Sequence, residues 1–192
     1  LSAPQVHDGL DHLGWEAAVH AIAPDSHGLT VLPFVAGERS PGWRPNARAA
    51  ITGMTLATTP AEVLRAGLEA VAYRLAEIYS RLPGEITAGR SIVASGGALR
   101  FTPWYQIIAD VLGCAVEESL EQEASLRGAA IFAWRSLGAW RGRADPPAAV
   151  GKVYEPDERR HMVYTDARER QRMLYESLIP LWTESGSVTL EP

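Results

Sequence analysis

The chain has 192 residues, 46% hydrophobic and 21% charged, which allows one domain with a real hydrophobic core and argues against disorder, collagen and coiled coil. Eighteen Lys and Arg against 23 Asp and Glu leave a net charge of -5, an acidic balance that does not favour duplex binding, because phosphate contacts need clustered cations. The single cysteine, Cys114, excludes an internal disulfide framework and a cysteine-rich metal site, and suits a reducing, cytoplasmic setting.

No run of about 18 uncharged apolar residues predicts a membrane span. Leu1 to Leu13 carries His7, Asp8, Asp11 and His12 where a signal peptide would be apolar. The abrupt start at Leu1, without Met, gives the expectation of a piece of something longer. His7 to His20 reads as a short helix, ended by the turn Ala23-Pro24-Asp25. Leu29 to Val35, bounded by Gly28 and Gly37, reads as a buried strand. A loop rich in Gly, Pro and Arg spans Gly37 to Asn46, and Ala49 to Leu56 reads as extended.

Thr59, Pro60 and Glu62 form the signature of a helix start, with Thr59 as N-cap and Glu62 completing a capping box. Leu64, Leu68, Val71, Leu75 and Ile78 then recur at helical spacing, which predicts one apolar stripe facing a core. Pro83-Gly84 ends that helix. Ser91 to Ser95 reads as a strand, Gly96-Gly97 as a turn, and Thr102-Pro103 as the start of a second helix. The second helix has the stripe Trp104, Ile107, Ile108, Val111 and Leu112, and Gly113 stops it. Ala115 to Ser119 reads as a strand and Ala124 to Leu137 as a helix rich in small residues. Arg141 to Val153, with Asp145-Pro146-Pro147, reads as a surface connection. A last helix over about Asp157 to Trp182 should present Tyr164, Met173, Leu174, Leu178 and Leu181 to the body. Alternating strands and helices imply an α/β layer arrangement with too few strands for a complete doubly wound sheet.

Three segments are candidate sites. The run Ser95-Gly96-Gly97-Ala98-Leu99-Arg100 follows a strand and precedes a helix. Without a Cβ, glycine lets main chain approach a flat or phosphorylated ligand, and amides at a helix start favour anions. An ordinary tight turn is the alternative. In the second segment, Glu38 and Arg39 lie just past a strand, where α/β sheets bind ligands. Equally, they form an ion pair that braces a long loop. In the third, Gly128 costs about 1 kcal/mol in a helix, so close packing by another helix or by a base is expected there. The five histidines, His7, His12, His20, His27 and His161, show no metal-ligand spacing, and the mixed charges from Arg159 to Arg172 read as a solvated helix face.

Taken in order, these segments resemble the C-terminal domain of the FGGY carbohydrate kinases. Leu32-Pro33-Phe34 with Gly37-Glu38-Arg39-Ser40-Pro41 resembles the family's loop, followed by Asn46-Ala47-Arg48-Ala49 and Gly53. Ala49 through Gly53-Met54 and Glu62-Val63 to Ala66 and Glu69 matches the family's second signature except at Gly67. Gly96-Gly97-Ala98 with Trp104, Gln106, Ala109-Asp110 and Gly113 is similar to its adenosine-binding segment, and Glu123-Ala124-Ser125 with Gly128-Ala129-Ala130 to the helix that follows.

The resemblance implies an actin-like, ribonuclease H-type α/β domain, the C-terminal half of a two-domain sugar kinase lacking its first strands. It implies a core over 1–140, a connection over 141–153 and a C-terminal helix over 154–192 packed on the same domain. ATP would bind with its adenosine at Gly96, Gly97, Ala98, Leu99 and Phe101, and Mg²⁺ would be held through the ATP phosphates, with no metal site in this chain. Where the family carries a small polar residue this chain has Phe101, to stack on adenine or to pack. Glu38 and Arg39 match the family loop with no assigned chemical step. The general-base Asp and the phosphate loop belong to segments outside this chain, so no catalytic residue is expected in it and the chain alone is expected to be inactive. The partners implied are a small sugar or sugar acid and the N-terminal kinase domain of the same protein, with a homodimer as a further candidate. Neither nucleic acid nor membrane is implied. Gly-Glu-Arg-Ser-Pro-Gly-Trp leans toward gluconate, with xylulose next. The competing reading is a degenerate nucleotide-binding or assembly module without chemistry.

Overall fold

The computed structural model describes residues 12–87, 91–121, 123–139, 144 and 147–184. In chain order the elements are α1 (His12–Ala21), β1 (Thr30–Leu32), β2 (Ala50–Thr52), α2 (Pro60–Ser80), the single turn α3 (Gly84–Thr87), β3 (Ile92–Ala94), a 3-10 turn (Gly97–Arg100), α4 (Pro103–Leu112), β4 (Val116–Ser119), α5 (Ala124–Ser136), β5 (Val150–Tyr154) and α6 (Glu158–Glu184). β1 and β2 form an antiparallel pair. β3, β4 and β5 form a second sheet, in which β3–β4 is parallel and β4–β5 antiparallel. This is an α/β domain, as the alternating pattern predicts.

Local chemistry sets the helix ends. At the start of α2 the Thr59 N–H donates to the Glu62 carboxylate at 2.7 Å, and the Glu62 N–H donates to Thr59 Oγ1 at 3.3 Å. The capping box read from the sequence is therefore complete, with Pro60 at the first helical position. Gly113 ends α4 at φ 67°, a left-handed conformation that glycine adopts without a Cβ penalty.

The main core joins α2 (Ala72, Tyr73, Ala76), α4 (Tyr105, Ile107, Ile108, Ala109, Val111), Val116 of β4, and Tyr164 and Ala167 of α6. Leu29, Val31, Ala66 and Ala70 form a second cluster, and Leu32, Phe34, Ala47 and Trp182 a third. Each fully buried large apolar side chain contributes about 1.5–3 kcal/mol.

Several expectations need correction. The buried strand expected over Leu29 to Val35 is only Thr30–Leu32, because Pro33 has no N–H for a ladder and Val35 is 87% exposed. The stripe Leu64, Leu68, Val71, Leu75, Ile78 is not the face of α2 that the chain buries. Arg65, Ala66, Glu69, Ala70, Ala72, Tyr73 and Ala76 are buried, while Leu64 and Leu75 remain 37% and 39% exposed. That buried face consists of alanines, Tyr73 and the Arg65–Glu69 ion pair rather than leucines.

The surface connection expected up to Val153 ends in a strand, since Val150–Tyr154 adds to the edge of β4. Residues 140–143 and 145–146 lie outside the described residues. On α6, Tyr164, Leu174 and Leu178 meet the body as expected, but Met173 and Leu181 face outward and Trp182 packs instead. That face follows Tyr164, Ala167, Gln171, Leu174, Leu178 and Trp182, a helical period that skips the other two. Gly128 has no close neighbour among the described residues, and α5 buries none of its side chains. Of the first predicted helix, residues 7–11 lie outside the described residues.

Candidate functional site: an open glycine turn between a strand and a helix

β3 delivers the chain into Ser95 and then Gly96, whose φ of +121° is a backbone that L side chains rarely adopt. The following 3-10 turn is closed by the Leu99 N–H donating to the Gly96 carbonyl at 3.1 Å. A Cβ built on Gly96 or Gly97 would meet no atom within 4 Å, so the main chain faces open space. Gly96, Gly97, Ala98, Leu99 and Phe101 thus lie on one short turn, with Leu99 packed against the core and Phe101 half-buried.

The turn is gripped at its far end. The Thr102 N–H and hydroxyl donate to the two carboxylate oxygens of Glu16 at 3.2 and 3.3 Å. Trp104 Nε1 donates to the Leu68 carbonyl of α2 at 3.1 Å. Beside the turn runs an apolar groove of about 490 Å³, lined by residues that include Leu75, Ile78, Leu82, Ile92, Leu99 and Leu112. Among the described residues β3 pairs on one edge only, with β4.

The loop from Gly37 to Asn46 separates the two charges singled out from the sequence. Glu38 is 4% exposed and braces the loop, while Arg39 is exposed. The brace is real, but its arginine is Arg74 of α2, which forms an ion pair with Glu38. The Gly42 N–H and the Tyr175 hydroxyl also donate to that carboxylate, at 3.2 and 2.5 Å. Burial, and then the hydrogen bond to Glu38, pushes the Tyr175 hydroxyl above its ordinary pKa. The Arg74 guanidinium stacks 4.9 Å from the Tyr175 ring and 5.3 Å from the Phe34 ring. Glu38→Gln keeps the shape but leaves Arg74 without its counter-charge. We expect a loss of about 1–2 kcal/mol in urea unfolding, and an unchanged midpoint would contradict the brace.

Sequence spacing missed the most densely bonded group. Glu69 is fully buried in α2 and accepts from Arg65 Nε at 2.5 Å, His27 Nε2 at 3.0 Å, Tyr164 Oη at 3.1 Å and Tyr73 Oη at 3.2 Å. The Leu29 N–H donates to His27 Nδ1 at 3.0 Å, which fixes the ring to donate through Nε2. Burial alone would raise the Glu69 carboxyl, but His27 and Arg65 outweigh it and hold the carboxyl below its ordinary value. Burial first, then the Glu69 charge, pushes the Tyr73 and Tyr164 hydroxyls up. Asp25, His27 and Glu69 converge closely enough to suggest a cation site, but His27 Nδ1 accepts from the Leu29 N–H and its Nε2–H faces Glu69, so the ring presents no lone pair to a metal. The signal available in the sequence was an Arg65–Glu69 pair at i,i+4 on a face of small residues.

A profile of the FGGY family of carbohydrate kinases, C-terminal domain, matches residues 9–137. The chain is 32% identical over 174 residues to a glycerol kinase of Leptothrix cholodnii, covering 86% of this chain and 34% of that protein. It is 35% identical over 142 residues to a glycerol kinase of a Polaromonas species, covering 70% of this chain and 29% of that one. Among solved structures, xylulose kinase from Rhodospirillum rubrum superposes with a TM-score of 0.74 at 28% identity, over 90% of this chain and 35% of its own. Gluconate kinase from Lactobacillus acidophilus superposes with a TM-score of 0.72 at 24% identity, over 86% of this chain and 34% of its own, a likeness of fold. The chain belongs to the FGGY family of carbohydrate kinases and matches their C-terminal domain, an actin-like α/β fold. It spans about a third of the length of the curated relatives it matches. No helix among the described residues is long and apolar enough to cross a membrane.

Proposed function

We propose that this chain is the nucleotide-binding part of an ATP-dependent kinase that phosphorylates a hydroxyl of a small sugar, polyol or sugar acid. The open backbone of Gly96 and Gly97 at the end of β3 carries the reading. Two consecutive residues with nothing against them admit a nucleoside, with Leu99 and Phe101 beside it as apolar contacts. ATP, when bound, supplies the γ-phosphoryl group. The residues of this chain bind and orient its nucleoside end, and Mg²⁺ is held through the phosphates.

Uncovered apolar surface supports a partner in the same polypeptide. Leu75 and Ile78 of α2 line the groove beside β3, and among the described residues β3 pairs only with β4. Further strands of the kinase would extend the sheet there and cover Leu75, and Leu126 and Phe132 of α5, with Leu137 just after it, stay exposed for the other half. The Gly37–Trp43 run favours gluconate and then xylulose as the acceptor, and the names of the curated relatives add glycerol.

Calorimetric titration with ATP and ADP tests the nucleotide site, and a coupled assay with gluconate, xylulose and glycerol tests turnover. We expect nucleotide binding without turnover by the 192-residue chain. Turnover should appear when the chain is joined to the preceding part of its kinase. Robust turnover by the chain alone would overturn the division of labour. Binding with no turnover in the joined protein would favour a nucleotide-binding module without chemistry.

A further inference from the structure

We propose that Glu16 of α1 is a positioning residue for the nucleotide turn, an inference that rests on the reading of Gly96 to Phe101 as the nucleotide site. Left to itself this turn has little to hold it. Apart from the Leu99 N–H on the Gly96 carbonyl, no atom of the described residues closes on the Cβ side of Gly96 or Gly97, and Thr102 makes no side-chain cap to α4. The first N–H groups of a helix lack intrahelical acceptors, and α4 begins with Pro103, which has no N–H. An acceptor is therefore wanted at Thr102, and none comes from the turn.

Glu16 supplies it from 86 residues away in sequence. One carboxylate oxygen takes the Thr102 N–H and the other takes its hydroxyl, so both the backbone direction and the side-chain rotamer of Thr102 are set. A carboxylate at a helix N-terminus also sits favourably in the helix dipole. The brace is itself anchored, because Val19 of α1 is fully buried and its carbonyl accepts from Arg65 Nη1 at 3.1 Å. A continuous line of contacts thus runs from Glu69 through Arg65 and α1 to Thr102. On the other side Trp104 is bonded to the Leu68 carbonyl. The turn is held between α1 and α2 while its glycines stay bare. A ligand that meets an ordered turn does not have to order it on binding, and that is the advantage Glu16 confers.

Five proteins test this by calorimetry with ATP and with ADP: the unaltered chain, Glu16→Ala, Glu16→Gln, Thr102→Val and Glu16→Ala/Thr102→Val. Glu16→Ala should weaken nucleotide binding about five- to tenfold. Glu16→Gln keeps one acceptor and should recover part of that loss. Adding Thr102→Val to Glu16→Ala should cost nothing further, since the bond it removes is already gone. A merely structural role would lower the melting temperature and leave affinity well below that temperature unchanged. Affinity within twofold of the unaltered chain in Glu16→Ala, or full additivity in the double variant, overturns the proposal. If Glu16→Ala does not fold, Thr102→Val carries the expectation of a smaller loss, about two- to threefold, because its N–H keeps the bond to Glu16, and affinity unchanged in it overturns the proposal. Absence of binding by the unaltered chain removes the nucleotide site and this inference with it, whereas binding indifferent to Glu16 removes only the inference.

Discussion

Replacing Glu69 with alanine should lower the unfolding free energy by about 3–5 kcal/mol, a large share of what a domain of this size possesses. The cost comes less from the lost attraction than from what is left behind. Arg65 is 6% exposed, and without Glu69 the partners left to it among the described residues are the neutral Val19 carbonyl and Tyr164 hydroxyl. Tyr73 loses its acceptor as well, and His27 keeps only the Leu29 N–H. Glu69→Gln should cost less but still a few kcal/mol, because the shape survives and the charge does not. The effect carries a pH signature. Glu69 is held below its ordinary pKa of 4.5, so its stabilisation is present above that value and is lost as pH falls through the lower, folded value. Urea midpoints of the unaltered chain should therefore drop below about pH 4.5 more steeply than those of Glu69→Gln. A change under about 1 kcal/mol on Glu69→Ala, or equal acid slopes, would contradict the account.

Leu75→Asp should behave in opposite ways in two settings. In the 192-residue chain Leu75 is 39% exposed and borders solvent, so the substitution should cost only about 1–2 kcal/mol. If the proposed further strands cover that stripe in the joined protein, the same carboxylate would be buried without a partner, at a cost of several kcal/mol. Soluble yield and turnover of the joined protein should then fall by tenfold or more. Equal, small effects in both settings would mean that nothing covers the stripe, and would withdraw the proposed strands.

Elements marked by local chemistry were legible from the sequence. The capping box at Thr59 and Glu62, the stop at Gly113, the strand before Gly96 and the helix after Thr102 all stand where their residues predict. Each depends on neighbours within a few positions. What failed depended on partners far along the chain. The α2 stripe has the right period for a core, yet periodicity reports that a face is apolar and not which molecule covers it. A side chain as polar as Glu69 gives no outward sign of burial until His27, Arg65, Tyr73 and Tyr164 are seen around it. Glu38 likewise reads as a loop charge beside Arg39, and only the fold reveals Arg74 and Tyr175 as its partners. Val150–Tyr154 sits behind a Pro-rich stretch that masks a short strand needing β4 as its template.

The bonds to Glu69 span 42 residues back to His27 and 95 forward to Tyr164. On a ribosome, α2 therefore emerges long before the last hydroxyl that satisfies its central carboxylate. Contacts that close such long loops form late, so this knot should be tied near the end of folding rather than seed it. A chain cut before α6 would leave Glu69 without the Tyr164 hydroxyl and Arg65 without its bond to the same group.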